Sequence, residues 1–253
     1  MPLGAQNSVY STLKAHEEFT EFFDLLSGSL GTDANLLAST QSLGEYKYTV
    51  GMERQGNRNI TLMDNYNYTV YVPTNESIRD LINRDLLPTW DDYNAIRLET
   101  WGTKELRDSA QKIVKDIITG FLRYHIQDHA IAINMAPETY ETDDQGNKKL
   151  LYDNSYESMR RNPETGRFYP ITVDFSNSQM TMVDVQKQQR HVVTANGLYN
   201  LLCREYWFYM PSDSRTKATV YSASDAVVHQ IDGPLMFREM KSWKEQLKAL
   251  GRE

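Results

Sequence analysis

Tyr68-Thr-Val-Tyr-Val-Pro-Thr-Asn-Glu-Ser-Ile-Arg-Asp-Leu-Ile82 is the stretch on which the fold turns. Thr69, Val70, Tyr71 and Val72 are β-branched or aromatic and suit a packed, pleated surface, so they predict a buried strand. Pro73 has no N–H to give a strand ladder and ends it. Thr74 or Asn75 then offers a side-chain oxygen to the orphan N–H groups of a new helix. Ile78, Leu81, Ile82 and Leu86 fall at i, i+3, i+4 and i+8, a single apolar helical stripe. Strand, hard stop and capped helix follow from these residues alone.

Working outward, a helix is expected from Ser8 to Leu26, with a change of phase near His16 that predicts a bend or two short helices. Gly28 and Gly31 close it. A hairpin is expected from Tyr46 to Glu53 and Asn59 to Met63. Leu87-Pro-Thr-Trp-Asp-Asp92 reads as a break and a fresh helix start, in a polar linker that carries Trp90 and Trp101. From Thr103, Leu106, Ala110, Ile113, Val114, Ile117 and Ile118 keep the helical period, and Gly120 is expected to divide that helix from the next turn. His129-Ala-Ile-Ala-Ile133 alternates and predicts a strand. Asn134 to Arg167 is polar and turn-rich, an expected surface insertion holding at most a hairpin and a short helix.

Beyond Phe168 the pattern is mainly β. Strands are expected at Ile171–Phe175, Met180–Val185, His191–Thr194, Ala218–Ser222 and Ala226–Ile231, the last two parted by a turn at Ala223-Ser-Asp225. Asn196 to Tyr206 fits either a turn or a strand, and Trp243 to Leu250 a charged terminal helix.

Three segments together point to a family. Thr69-Val-Tyr-Val-Pro-Thr-Asn75, Phe121-Leu-Arg-Tyr-His-Ile126 and Asp225-Ala-Val-Val-His-Gln-Ile-Asp-Gly-Pro-Leu235, in this order, resemble the fasciclin-like domain family. The family pattern is a Thr-Val-Phe-Ala-Pro-Thr-Asn-like strand exit, a Tyr-His pair at a helix end and a late Val-Val-His-x-Ile-Asp-x-x-Leu strand. The family's usual Asn-Gly turn is replaced here by Ser224-Asp225. The resemblance implies an α+β fold, a wedge of two small β-sheets with helices packed along one side. On this reading residues 1–7 are a flexible N-terminal segment, and 8–253 form one fasciclin-like domain with insertions near 46–64, 84–103 and 134–167. The motif positions Thr69, Pro73, Thr74, Asn75, Tyr124, His125, Val228, His229, Ile231 and Asp232 are expected to be mostly structural.

The resemblance further implies a non-enzymatic adhesion or interaction module, outside the cell or at the cell envelope. Bacterial members are often secreted or lipid-anchored lipoproteins. The partner would be an envelope, matrix or host-surface protein or glycan, without a cofactor. Trp90, Trp101, Tyr152 and Tyr156 are the candidate binding surface. An alternative is a glycan-binding accessory protein of envelope polysaccharide capture, with aromatic faces stacking on sugars.

Composition sets limits. Of 253 residues, 27 are Lys or Arg and 34 Asp or Glu, a formal charge of −7, which argues against nucleic acid. A lone cysteine, Cys203, allows no intrachain disulfide and reads as a small buried hydrophobe. No apolar run approaches a membrane-spanning length. Met1 to Asn7 lacks the basic start and apolar core of a leader, so either the protein stays in the cytosol or a leader lies upstream. His125 and His129 have the i, i+4 spacing of metal ligands, but Ile126 stands where the zinc-protease pattern needs Glu, and no metal is expected. A hydrolase finds no Gly-x-Ser-x-Gly elbow, and Ser224, Asp225 and His229 lie too close along the chain to form a triad. Asn59, Asn67 and Asn75 open glycosylation sequons, of which the last two lie against the expected buried strand.

Overall fold

The computed structural model describes residues 9–27, 67–133, 138–209 and 219–251. The hairpin expected at 46–63, the closing Gly28 and Gly31, the segment 1–7 and the sequon at Asn59 lie outside these residues. The opening stretch becomes strand β1 (Tyr68–Pro73) and a following helix (Asn75–Asn83) whose N-cap Thr74 accepts from the Ser77 N–H at 3.4 Å. Every residue of β1 is buried, and the chain begins to emerge only at Thr74. A strand covered on both faces needs apolar or hydrogen-bonded residues throughout, which explains its unbroken β-branched and aromatic run.

Along the chain the helices are α1 (Val9–Ala15), α2 (Thr20–Ser27), α3 (Asn75–Asn83), α4 (Trp90–Ala95), α5 (Leu98–Trp101), α6 (Lys104–Tyr124) and α7 (Trp243–Leu250). A 3-10 turn at Glu17–Phe19 separates α1 from α2, so the phase change near His16 is a real break. The strands after β1 are β2 (Ile126–Asp128), β3 (Tyr140–Thr142), β4 (Lys148–Leu150), β5 (Ser155–Arg161), β6 (Phe168–Ser176), β7 (Gln179–Val183), β8 (Gln189–His191), β9 (Leu201–Tyr209) and β10 (Thr219–Ile231). With β1, seven of them form the order β8-β7-β6-β5-β2-β1-β10-β9, and β3 pairs with β4 as a separate small sheet. Helices and strands together make an α+β fold, as expected.

The two halves of the large sheet meet at one residue pair, Gln127 opposite Ser158. A second seam closes the other side: Val192 bridges Ile231, and the Val193 N–H donates to Gln230 O at 2.8 Å. Apolar side chains are thereby enclosed on two levels. Tyr68, Val70 and Val72 of β1 join Phe19, Phe22, Ile78, Val114, Ile118 and Val228 in a core under the helices. Tyr71, pointing the opposite way, joins Ile171, Val173, Phe175, Met180, Met182 and Ile231 in a core between the sheet halves. The period-two alternation of β1 is what divides its residues between them.

Four expectations are corrected. Gly120 does not divide a helix; α6 runs unbroken to Tyr124. A Cβ at Gly120 would lie 3.2 Å from Phe237 Cζ and 3.3 Å from Arg160 Cζ, so the glycine admits a close neighbour instead. His129–Ile133 is not a strand: His129 has φ +72°, and the strand is the preceding Ile126–Asp128. The 134–167 segment holds more than a hairpin and a short helix. Its hairpin is β3–β4, but β5 lies within the large sheet between β2 and β6, and no helix occurs in its described residues. Finally, Ala223-Ser-Asp225 is not a turn but part of the continuous β10, which carries an irregularity between Val220 and Ser222. Among the described residues, β1 lies beside Ala226–Ile231, and Thr219–Asp225 pairs with β9.

Asn75 shows how the opening stretch also organises the N-terminal helices. Its Oδ1 accepts from the Glu21 N–H at 3.0 Å, and its Nδ2 donates to Glu17 O at 2.8 Å. It therefore caps the start of α2 from a distant part of the chain. Asn75→Ala is expected to lower unfolding stability by about 1–2 kcal/mol, the usual cost of a lost cap. Asn75→Asp, which keeps the acceptor, should lose less; denaturant midpoints of the two variants check this.

Candidate binding site

The three motif segments meet in one interior. β1 runs parallel to β10 with Tyr71 opposite His229 and Pro73 opposite Ile231, and antiparallel to β2, which leaves α6 directly after Tyr124-His125. Pro73 ends β1, and the Thr74 N–H donates to Ile231 O at 3.2 Å. Val228 is buried in the core under the helices and Ile231 in the core between the sheet halves.

Between the halves, the chain from His129 to Ile133 is irregular, and among the described residues no strand pairs with it. Side chains replace that strand. Thr69 Oγ1 donates to His129 O at 2.7 Å and accepts from the Ile131 N–H at 3.0 Å. His229 Nε2 lies 2.7 Å from Ile131 O. Asn200 Oδ1 accepts from the Ile133 N–H at 2.8 Å while its Nδ2 donates to Ile133 O at 3.1 Å. The Asn200 N–H in turn donates to His229 Nδ1 at 3.2 Å.

His125 holds a second irregular segment. Its Nδ1 lies 2.8 Å from Phe121 O, and its Nε2 accepts from the Leu235 N–H at 3.0 Å. The same segment is held by buried Asp184, which accepts from the Met236 N–H at 2.8 Å, and by Arg190 Nε, which donates to Pro234 O at 2.9 Å. Tyr124 ties the two halves together, its hydroxyl donating to Pro170 O at 3.0 Å and accepting from the Val185 N–H at 3.1 Å. Pro170 lies where the β5–β6 register shifts, the position a strand proline without an N–H can occupy.

These partners fix the tautomers. A carbonyl only accepts and an N–H only donates, so His125 carries its proton on Nδ1 and His229 on Nε2. Both imidazoles are neutral. Burial lowers the pKa of each to about 4, against a partial opposing effect from the carbonyl each one bonds. With both ring nitrogens engaged by backbone, neither histidine is placed to serve as a base. His125 and His129 do not share a face: the first is buried and the second lies beyond the strand, at positive φ and exposed. No metal-ligating cluster occurs among the described residues.

The late motif's aspartate pairs elsewhere. Asp232 accepts from the His191 N–H at 2.9 Å and lies 3.0 Å from His191 Nδ1, at the surface. The end of β8 brings His191 to it. The side chain of Ser224 lies outside the described atoms. Cys203 is buried, with its sulfur 3.1 Å from Thr12 Oγ1.

Of the aromatic candidates, Trp90 is corrected to a core residue. It is 7% exposed and its indole N–H donates to Leu25 O at 2.7 Å, so it offers no face to a partner. Trp101 is half-buried against the core and the chain near Gly251. Tyr152 and Tyr156 flank the start of β5 and are half-buried; Tyr156 packs 5.4 Å from the His129 ring. Burial, with Tyr152 and Asp153 nearby, raises the Tyr156 hydroxyl pKa.

A surface groove of about 420 Å3 was not legible in the sequence. It lies between α6, α7 and the chain from Leu235 to Lys241, with Phe121, Met236, Phe237 and Met240 among its walls. A signal for it existed only as Met236-Phe-Arg-Glu-Met-Lys241, an apolar-basic run following the last motif.

No protein-family model matches the chain, and no curated protein matches it. Among solved structures, it is similar to a FAS1 domain pair from the insect cell adhesion molecule fasciclin I, at 12% identity and a TM-score of 0.33. That match covers 91% of this chain and 51% of the other, so the chain spans about half the length of the domain pair. A superposition this loose transfers no partner and no residue role.

The histidines predict a pH dependence. The unfolded chain takes up protons on these residues near 6.5, whereas the folded protein resists uptake down to about 4. Between those values the unfolded state binds more protons, so stability should be level above about pH 6.5 and fall as pH drops toward 4. Each imidazole accounts for a loss on the order of 3 kcal/mol across the window. Denaturant unfolding at a series of pH values checks this, and His229→Gln should be less stable at pH 7 with a shallower acid slope.

Proposed function

We propose that the chain is a non-catalytic adhesion or interaction module of the fasciclin-like kind, acting outside the cell or at its envelope on a protein or glycan partner. The observation that carries the proposal is the meeting of the three motif segments in one interior, with β1 parallel to β10 and the α6 exit feeding the adjacent strand. Their polar side chains are taken up by the fold: His125, His229, Thr69 and Tyr124 all bond to backbone. In this reading residues 8–253 form one domain carrying insertions near 46–64, 84–103 and 134–167. Secretion or lipid anchoring of the full-length protein belongs to the same proposal.

The binding surface is assigned to Trp101, Tyr152 and Tyr156 together with the β3–β4 hairpin. The half-exposed Tyr152 and Tyr156 also favour the second reading, glycan capture by stacking of sugar rings on aromatic faces. The hairpin is anchored at its base, where the Leu151 N–H donates to Thr139 O at 3.0 Å and the Tyr140 side chain bonds Asp174 of β6. Replacing residues 141–149 with two glycines, which keeps that anchor, should leave the thermal midpoint nearly unchanged.

The whole protein is expected to bind a member of a panel of envelope, matrix and host-surface proteins and glycans. That binding should fall at least tenfold in the hairpin deletion and in Tyr152→Ala/Tyr156→Ala. Capture on a glycan array separates the second reading from the first. A partner bound equally well by all three proteins would remove the assigned surface. Turnover of an ester or peptide substrate that His229→Gln abolishes without unfolding the protein would remove the non-catalytic reading.

A further inference from the structure

The groove beside α6 combines an apolar floor with a cationic margin. Its floor is made by Ile117 and Phe121 of α6 and by Leu235, all buried, and Met236 and Met240 form flexible, polarisable walls. Arg238 and Lys241 are the cationic wall residues and Glu239 the anionic one. Phe237, also in the wall, has the Arg160 guanidinium 4.9 Å and the Arg238 guanidinium 5.4 Å from its ring centre. At about 420 Å3 the groove lies within the usual range for small ligands, about 300–1,000 Å3.

The charge around Phe237 is uneven. Burial lowers the pKa of Arg160, and the neighbouring guanidiniums of Arg123 and Arg238 lower it further. Asp116 opposes them, but its carboxylate is also bonded to Lys112. Within the groove itself Arg238 and Lys241 outnumber the one acid, Glu239, which favours an anion at this end in a protein of net charge −7. Gly120 makes the crowding possible, since a side chain there would displace Arg160 and Phe237.

We propose that the groove binds a free single-chain anionic amphiphile, its tail along Phe121, Leu235, Met236 and Met240 and its head group held by Arg238 beside Phe237. Charge complementarity at one end and apolar lining along the rest commit the site to an occupant that is both acidic and apolar. The site is separate from the hairpin surface and does not rest on the adhesion reading.

Dodecanoate, used below its critical micelle concentration, is the probe, with calorimetric titration of the full chain as the readout. Dodecanoate should bind with one-to-one stoichiometry, and dodecanol and dodecyltrimethylammonium at least tenfold more weakly. Decanoate, two methylenes shorter, should bind roughly tenfold more weakly than dodecanoate. Arg238 is exposed, so Arg238→Gln should fold normally; it should weaken dodecanoate about tenfold and leave dodecanol unchanged. Equal affinity for the alcohol and the carboxylate, indifference to Arg238→Gln, or binding only to anionic vesicles would each overturn the proposal.

Discussion

Backbone buried without a strand or helix partner must be satisfied by side chains, and this requirement governs the interior of the protein. Between the sheet halves the chain crosses from β2 through His129–Ile133, which no ladder reaches among the described residues. An unpaired buried amide or carbonyl costs as much as several ordinary surface contacts can return. Thr69, His229 and Asn200 remove that penalty with direct bonds to residues 129, 131 and 133. His125, Asp184 and Arg190 do the same for the chain at Pro234–Met236. The parallel pairing of β1 with β10 makes the first of these clamps possible, because it sets Tyr71 beside His229 and Thr69 within reach of the crossing chain.

The same requirement explains why two histidines rather than two amides or hydroxyls occupy these points. A neutral imidazole offers one donor and one acceptor on opposite sides of a rigid, largely apolar ring. His125 packs 4.3 Å from the Phe121 ring while linking a helix carbonyl to the Leu235 N–H. His229 stacks on Tyr71 while linking Ile131 O to the Asn200 N–H. Each ring must stay neutral to keep its acceptor nitrogen. Protonation would break one bond and bury a charge together, so the scaffold is tied to pH through the same residues that hold it together.

The places where sequence pattern and structure part company share a cause. Ile131 and Ile133 alternate like a strand because both face the core between the sheet halves, yet side-chain clamps rather than a ladder satisfy the backbone between them. Gly120 looks like a helix breaker, and its intrinsic cost of about 1 kcal/mol is real. Close approach of Phe237 and Arg160 outweighs it within a long packed helix. Ser155–Arg161 lacks an apolar rhythm because only Met159 and Ser158 are deeply buried, so its pattern gives no sign of a sheet strand. Trp90 looked exposed among Asp91 and Asp92, although the capping box formed by Thr89 and Asp92 turns its indole inward.

Local chemistry alone determined the strand at Tyr68–Pro73, the capped helix after it, the bend near His16, the long helix from Thr103 and the terminal helix at Trp243. Proline stops, hydroxyl caps and helical periodicity act over a few residues, and their outcome does not depend on distant partners. The order of three motifs also identified which residues would share an interior. Tertiary structure alone decided that Asp232 pairs with His191, that Asn75 caps a helix more than fifty residues earlier in the chain, roughly the separation that only folding can close. It likewise decided that Arg160, Arg238 and Phe237 gather beside a groove. Such contacts join residues from different elements, and their distances are set by packing between those elements rather than by any property of the local sequence.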